Sequence, residues 1–293
     1  MRRCIAIIGA FLFLLAACAA PAQDRAPFEN RVIGVSSVPT RFDDTSAPDD
    51  SGSPAPLHAF NQAARVPSAR LSPDQALATY LNGAQRQLAE LGAYSDATVI
   101  EADLPATAQH GKYELRRVYQ APRSLAFAAI HFAGDSFVKT NIITKLLQSE
   151  VEHVQKGEGA QTAITADNYK FNLKGTDTVD GRVAYVYHVK PRHKGPGLFK
   201  GRILVDAASG RLRRAEGTMV KSPSLFVKKI EFVQDYGEYG PFSLPVHIHS
   251  VAKTRLVGRA VVEISHSGYQ AKTVAETQSG AGSSASASGG GTN

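Results

Sequence analysis

The sequence predicts an α+β fold: one strongly curved antiparallel sheet with two helices covering its concave face. Three observations carry this. About ten runs read as strands, and turn signals such as Asp180-Gly181 and Ser209-Gly210 supply the φ > 0 residues that join close antiparallel neighbours. Only two stretches show helical periodicity, and strands never alternate with long helices, which argues against a parallel nucleotide-binding sheet. The run 183–189 is apolar on both faces, as a curved sheet requires where helices or an apolar ligand cover its inner side.

The first 17 residues stand apart from the fold. Arg2 and Arg3 precede an apolar core from Ile5 to Leu15, which is an export-signal pattern. Two exits fit. Leu15-Ala16-Ala17-Cys18 resembles a bacterial lipobox with Cys18 as the lipidated residue. Ala20-Pro21-Ala22 fits cleavage after Ala22 by the ordinary small-x-small rule. The only cysteines are Cys4 and Cys18, so the exported chain has no thiol for a disulfide framework, a thiolate metal site or a nucleophile.

The chain has 293 residues, is 43% apolar and carries a net charge of +7. Losing Arg2 and Arg3 with the signal lowers that charge by two and leaves the protein basic, which suits a loose attraction to anionic envelope surfaces. The basic residues are scattered, so no nucleic-acid partner is implied. Beyond residue 20 no apolar run reaches the roughly 20 residues of a spanning helix.

Residues 19–70 are rich in Pro, Asp, Ser and Ala, hold seven of the 15 prolines and read as a disordered tether. The folded domain is expected over 71–270, and the Gly/Ser/Ala-rich stretch 271–293 as a disordered tail.

The domain opens on a helix. Ser72-Pro73-Asp74-Gln75 offers an N-cap, Pro at the first helical position and the Gln of a capping box. Leu77, Tyr80, Leu81, Ala84, Leu88 and Leu91 follow near-helical spacing, with Gly92 as the stop. A second helix is expected over 137–156. Asp135 or Ser136 would cap it, Ile142, Ile143, Leu146, Leu147, Glu150, Val151 and Val154 share a face, and Gly157 ends it. Strands are expected over 97–104, 112–121, 124–133, 168–176, 182–191, 199–207, 211–221, 225–236, 243–256 and 258–269.

Alternation sorts the strand faces. Tyr169, Phe171 and Leu173 point inward while the intervening lysines face water, and Phe226, Lys228, Ile230 and Phe232 share one face. The candidate ligand-binding face is therefore Phe171, Leu173, Tyr185, Tyr187, Ile203, Val205, Phe226, Ile230 and Phe232. These residues are either plain core sealed by the helices or the lining of a cavity.

Other candidates are weaker. His247 and His249 point to one face of a strand and, with His188 or His193, would be metal ligands, but no partner stands at diagnostic spacing and no metal or cofactor is implied. Asp206 and Glu216 flank a hairpin, where a carboxylate commonly folds the turn. The loop Arg192-His193-Lys194-Gly195-Pro196-Gly197 is a solvated turn or a contact for phospholipid headgroups. Lys228-Lys229 has the same two readings. No G-x-S-x-G elbow, H-E-x-x-H helix or phosphate loop is present, so the protein reads as a non-enzyme.

Seven phrases carry a family resemblance: NYKFNLKG at 168–175, DGRVAYVY at 180–187, VKP at 189–191, LFKGRILVD at 198–206, RRAEG at 213–217, PS at 223–224 and GPFSLP at 240–245. In order and spacing they resemble bacterial outer-membrane lipoprotein-sorting proteins, the LolA/LolB/RseB-like group. The resemblance implies an unclosed β-barrel with helices as a lid over an apolar concave face. It implies an exported, periplasmic protein, anchored if Cys18 is lipidated, that binds lipid or the acyl chains of lipoproteins. The alternatives are an RseB-like sensor with an envelope protein partner and, at a distance, a metal-dependent hydrolase using His247 or His249. No functional Arg of the carriers maps onto Arg202, Arg213, Arg214 or Arg259.

Overall fold

The computed structural model describes residues 70–222, 227–255 and 257–285. The expected signal, Cys18, the cleavage site after Ala22, all but the end of the tether and Phe226 lie outside the described residues.

The chain begins with α1 (Pro73–Glu90). Ser72 caps it as a reciprocal capping box with Gln75, and Ala76, Tyr80, Ala84 and Gln87 form its buried face. The helix ends without a glycine cap. Leu91 is extended and opens β1 (Leu91–Leu104), so the first strand starts six residues before the expected 97. Gly92 therefore serves the sheet and not the helix: a Cβ there would lie 2.5 Å from the Thr273 carbonyl oxygen.

β2 (Gln109–Gln120) and β3 (Ser124–Gly134) follow. A helical arm then runs through α2 (Ser136–Val138), a π-helical turn (Lys139–Ile143), α3 (Thr144–Lys156) and α4 (Gly159–Thr162). Asp135 does not cap the arm with its side chain, because its Oδ2 accepts the His110 N–H at 2.9 Å instead. Gly157 ends α3 in the left-handed region, as expected.

Seven strands complete the sheet: β4 (Tyr169–Val179), β5 (Arg182–Pro191), β6 (Phe199–Asp206), β7 (Leu212–Met219), β8 (Val227–Tyr239), β9 (Phe242–Thr254) and β10 (Arg259–Thr273). The expected tail from 271 is shortened. β10 runs to Thr273, and α5 (Val274–Ala285) follows because Thr273 and Glu276 cap each other reciprocally: Glu276 N–H donates to Thr273 Oγ1 at 3.2 Å, and Thr273 N–H to Glu276 Oε2 at 2.6 Å.

All ten strands lie in one antiparallel sheet, ordered β3-β2-β1-β10-β9-β8-β7-β6-β5-β4. The sheet does not close, since β3 and β4 are its two edges. The chain joins those edges through the helical arm, so the arm takes the place of a closing strand pair. The arm buries Val138, Ile142, Ile143, Leu146 and Leu147 in the same core cluster as Tyr80 of α1 and Ile203 and Val205 of β6. Each such aliphatic side chain contributes roughly 1.5–3 kcal/mol by leaving water.

Candidate ligand-binding face and its helical cover

Cross-strand register assembles the concave layer. Leu173 stands opposite Tyr187, Tyr187 opposite Ile203, and Tyr185 opposite Val205. Further along the same face, Phe232 stands opposite Gly217. Tyr187, Ile203, Val205, Ile230 and Phe232 are buried, and Phe171 and Tyr185 are half-buried against the same cluster. Phe199, fully buried, meets Tyr169 at 5.4 Å and Phe232 edge-on at 5.0 Å between ring centres.

Four expected positions differ in detail. Leu173 is 43% exposed, because it sits beside a register shift on β4, an edge strand of the sheet. Lys228 does not share the inward face with Ile230 and Phe232. A bulge between Val227 and Lys229 turns Val227 inward and leaves Lys228 exposed. Tyr185 and Tyr187 lie on the concave face but commit their hydroxyls to the helical cover, donating to the carbonyls of Leu71 at 2.7 Å and Pro73 at 2.6 Å.

Further polar contacts fasten α1 over the sheet. The Tyr80 hydroxyl donates to the Ile164 carbonyl at 2.8 Å. Near the helix end, Gln87 imitates a strand partner: its amide donates to the Ser243 carbonyl at 3.1 Å and accepts the Ser243 N–H at 2.9 Å.

A buried ionic cluster holds the arm. Arg117 of β2 donates through Nε to Asp96 of β1 at 2.9 Å and through Nη1 to Glu150 of α3 at 3.0 Å. Its Nη2 donates to the Tyr269 hydroxyl at 2.7 Å, which in turn donates to the Pro245 carbonyl at 2.7 Å. The guanidinium also stacks over Tyr94, 4.9 Å from the ring centre. Asp96 accepts from Thr98 at 2.6 Å and lies 3.1 Å from His266 Nδ1. The sequence reading missed this cluster. Its signal was present: Asp96 falls in the inward phase with Tyr94 and Ile100, Arg117 with Leu115 and Tyr119, and Glu150 on the apolar face of its helix.

The titrations of this cluster oppose one another. Burial pushes Glu150 up, against the pull of Arg117. Burial would also raise Asp96, but the His266 hydrogen bond and Arg117 outweigh it and hold the carboxyl low. Burial, reinforced by the Arg117 charge, pushes His266 down to about 4 from its ordinary 6.5. An unfolded chain therefore takes up the His266 proton first as pH falls. The stability contributed by neutral His266 is present above 6.5 and lost between 6.5 and about 4. That loss is about 3 kcal/mol. Glu150 acts with the opposite sign, because the folded state protonates it first. Urea unfolding between pH 4 and 7 is expected to show a shallower pH slope in His266→Gln than in the wild-type protein; equal slopes would remove His266 from this account.

The remaining candidates are accounted for locally. Asp206 folds its turn, with Oδ1 accepting from Ala208 N–H at 3.0 Å and Ser209 N–H at 2.8 Å. Burial opposes its ionisation, but these hydrogen bonds outweigh it and hold the carboxyl below the usual range. Glu216 pairs with Arg202. His247 and His249 flank one carboxylate, Glu263, on β10; His188 and His193 lie on β5 and the following loop. Among the described residues no group of three or more His, Asp or Glu side chains is arranged to hold a metal ion. No described helix is long and apolar enough to cross a membrane.

No protein-family model matches the chain. No curated protein matches it either. Among solved structures it is similar to a LolA superfamily protein from Nitrosomonas europaea, at 14% identity over 66% of this chain and 92% of that one, with a TM-score of 0.35. It is similar to the MucA/MucB complex of Pseudomonas aeruginosa, at 10% identity over 65% and 92%, with a TM-score of 0.21. The lipoprotein LppX of Mycobacterium tuberculosis is a third, at 10% identity over 68% and 96%, with a TM-score of 0.24.

Proposed function

We propose that this protein is exported and binds the acyl chains of a lipid or lipoprotein at the bacterial cell envelope, holding them against the concave face beneath the helices. One observation carries the reading: a continuous apolar layer from Phe171 to Phe232 is covered, among the described residues, by helices and not by a second sheet, at a sheet whose edges stay apart. A helix can swing away from a sheet without breaking ladder hydrogen bonds, so the same apolar surface serves as core when closed and as a binding wall when opened.

The energetics suit such an exchange. Each methylene brought out of water contributes roughly 0.8 kcal/mol, so about six methylenes supply about 5 kcal/mol towards displacing the cover. No covalent step is involved. Phe171, half-buried, and Leu173, exposed, place apolar surface at the β4 edge where a chain would enter.

The chain without residues 1–22, and so without any lipid on Cys18, is the material for the test. Organic extraction and mass spectrometry are expected to release stoichiometric amphiphile. Displacement of a fluorescent fatty acid is expected to weaken about tenfold in Phe171→Asp, which puts a charge at the entrance. A clean extract together with no probe binding would overturn the proposal.

A further inference from the structure

The loop 191–197 brings Arg192, His193 and Lys194 together, and the neighbouring strands add lysines at the same end of the sheet. A cleft of about 700 Å³ opens there. Its walls carry Lys190, Arg192, Lys194, Lys200, Lys228 and Lys229, and no carboxylate lines it among the described residues. Its floor is apolar: Met219 and Ile230 belong to the main core, and Val220 packs against it.

The charges here are handled differently from those elsewhere on the sheet. Arg182, Arg202 and Arg214 pair with Asp206, Glu216 and Asp235. In the cleft, Lys229 pairs with Glu231, and Arg192 donates to the Ala166 carbonyl at 2.7 Å, which pins the loop. Lys190, Lys194, Lys200 and Lys228 have no carboxylate in ion-pair range among the described residues. Lys170 of β4 stands directly opposite Lys190 of β5, a like-charge pairing that destabilises a sheet. The bulge at Val227 adds Lys228 to the group.

We propose that this cleft receives the phosphate-bearing headgroup of an anionic amphiphile whose chain passes over Met219 and Ile230 to the concave face. The inference deepens the acyl-binding reading and rests on it. A single carboxylate would satisfy one lysine. A phosphate group presents more acceptor oxygens and up to two charges, so it can engage several ammonium groups at once. Lysine suits the task because it meets phosphate as a point charge and needs no fixed fork geometry.

Calorimetric titration of the chain without residues 1–22, first stripped of bound amphiphile on a hydrophobic resin and refolded if needed, tests this at low salt, where screening is weakest. Three probes are used, the two amphiphiles below their micellar concentrations: monododecyl phosphate, dodecyl maltoside as the uncharged chain, and inorganic phosphate. Monododecyl phosphate is expected to bind about tenfold more tightly than dodecyl maltoside. The triple variant Lys190→Gln, Lys200→Gln, Lys228→Gln is expected to cut that preference to about twofold or less while leaving dodecyl maltoside unchanged, which also certifies its fold.

Equal binding of the two amphiphiles by the wild-type protein would overturn the headgroup assignment and leave the acyl reading standing. Binding of neither would remove the acyl reading and this inference with it. Inorganic phosphate binding as tightly as monododecyl phosphate would make the cleft a free-anion site and overturn the amphiphile. A preference that survives in the triple variant would place the headgroup elsewhere.

Discussion

Arg117→Met is expected to lower the unfolding free energy by about 3–5 kcal/mol, the usual cost of removing one partner of a buried ion pair. The guanidinium bridges Asp96 of β1 and Glu150 of α3, and its side chain is 4% exposed. Removing it leaves two carboxylates facing each other in a desolvated pocket with their compensating charge gone. Asp96 retains Thr98 and His266 as partners, whereas Glu150, which burial already pushes up, loses its salt bridge and takes a proton. The Met variant should therefore gain stability on mild acidification relative to its own value at neutral pH, the reverse of what His266 imposes on the wild-type protein. Arg117→Met combined with Glu150→Leu is expected to recover part of the loss, because replacing both partners by apolar groups leaves fewer stranded charges. Urea denaturation read by circular dichroism measures all three proteins. A loss below about 1 kcal/mol in the single variant would show that the cluster does not fasten the arm.

The same residues show where sequence reasoning reaches and where it stops. The strands, the antiparallel meander and the two covering helices follow from alternation, turn dipeptides and the Ser72 capping box, all of which act within a few residues. The pairing of β1 with β10 joins residues about 170 apart, and no local signal announces it. The buried cluster depends on that pairing, since Thr98 and His266 become opposite neighbours only when it forms. Asp96, Arg117 and Glu150 each look like a local defect in an apolar pattern, and only together do they form a neutralised group. Bulges are the second blind spot. The inward phase assigned to Lys228 fails by one residue because an extra residue at Val227 resets it, and alternation carries no sign of the insertion. On β8 the concave-face residues Ile230 and Phe232 are legible because Glu231 alternates with them, whereas on β5 and β6 the intervening Val186 and Leu204 are themselves apolar and buried, so alternation alone does not sort those faces.

Gly201→Ala is expected to destabilise the fold by more than about 4 kcal/mol, a loss at the exceptional end for one methyl group. Glycine inside a strand ordinarily costs entropy and packing, so alanine would normally be an improvement. The geometry reverses that sign. Gly201 of β6 and Gly217 of β7 face each other across the ladder. A Cβ on Gly201 would lie 1.9 Å from the Glu216 carbonyl oxygen and 2.6 Å from the Gly217 Cα. A Cβ on Gly217 would lie 2.3 Å from the Lys200 carbonyl oxygen. All of these are backbone atoms, so no rotamer change relieves the clash and the two strands must part. They part in the middle of the concave wall, beside the Phe199–Phe232 contact, and the strain spreads into the core. Gly83→Ala in α1 is the matched control. Nothing lies within 4 Å of its added methyl group, and alanine in a helix interior is expected to stabilise by about 1 kcal/mol. Denaturant midpoints should move in opposite directions for the two variants. A rise for both would mean that β6 and β7 lie farther apart than this structure places them, and that the Gly201–Gly217 pair carries no structural demand.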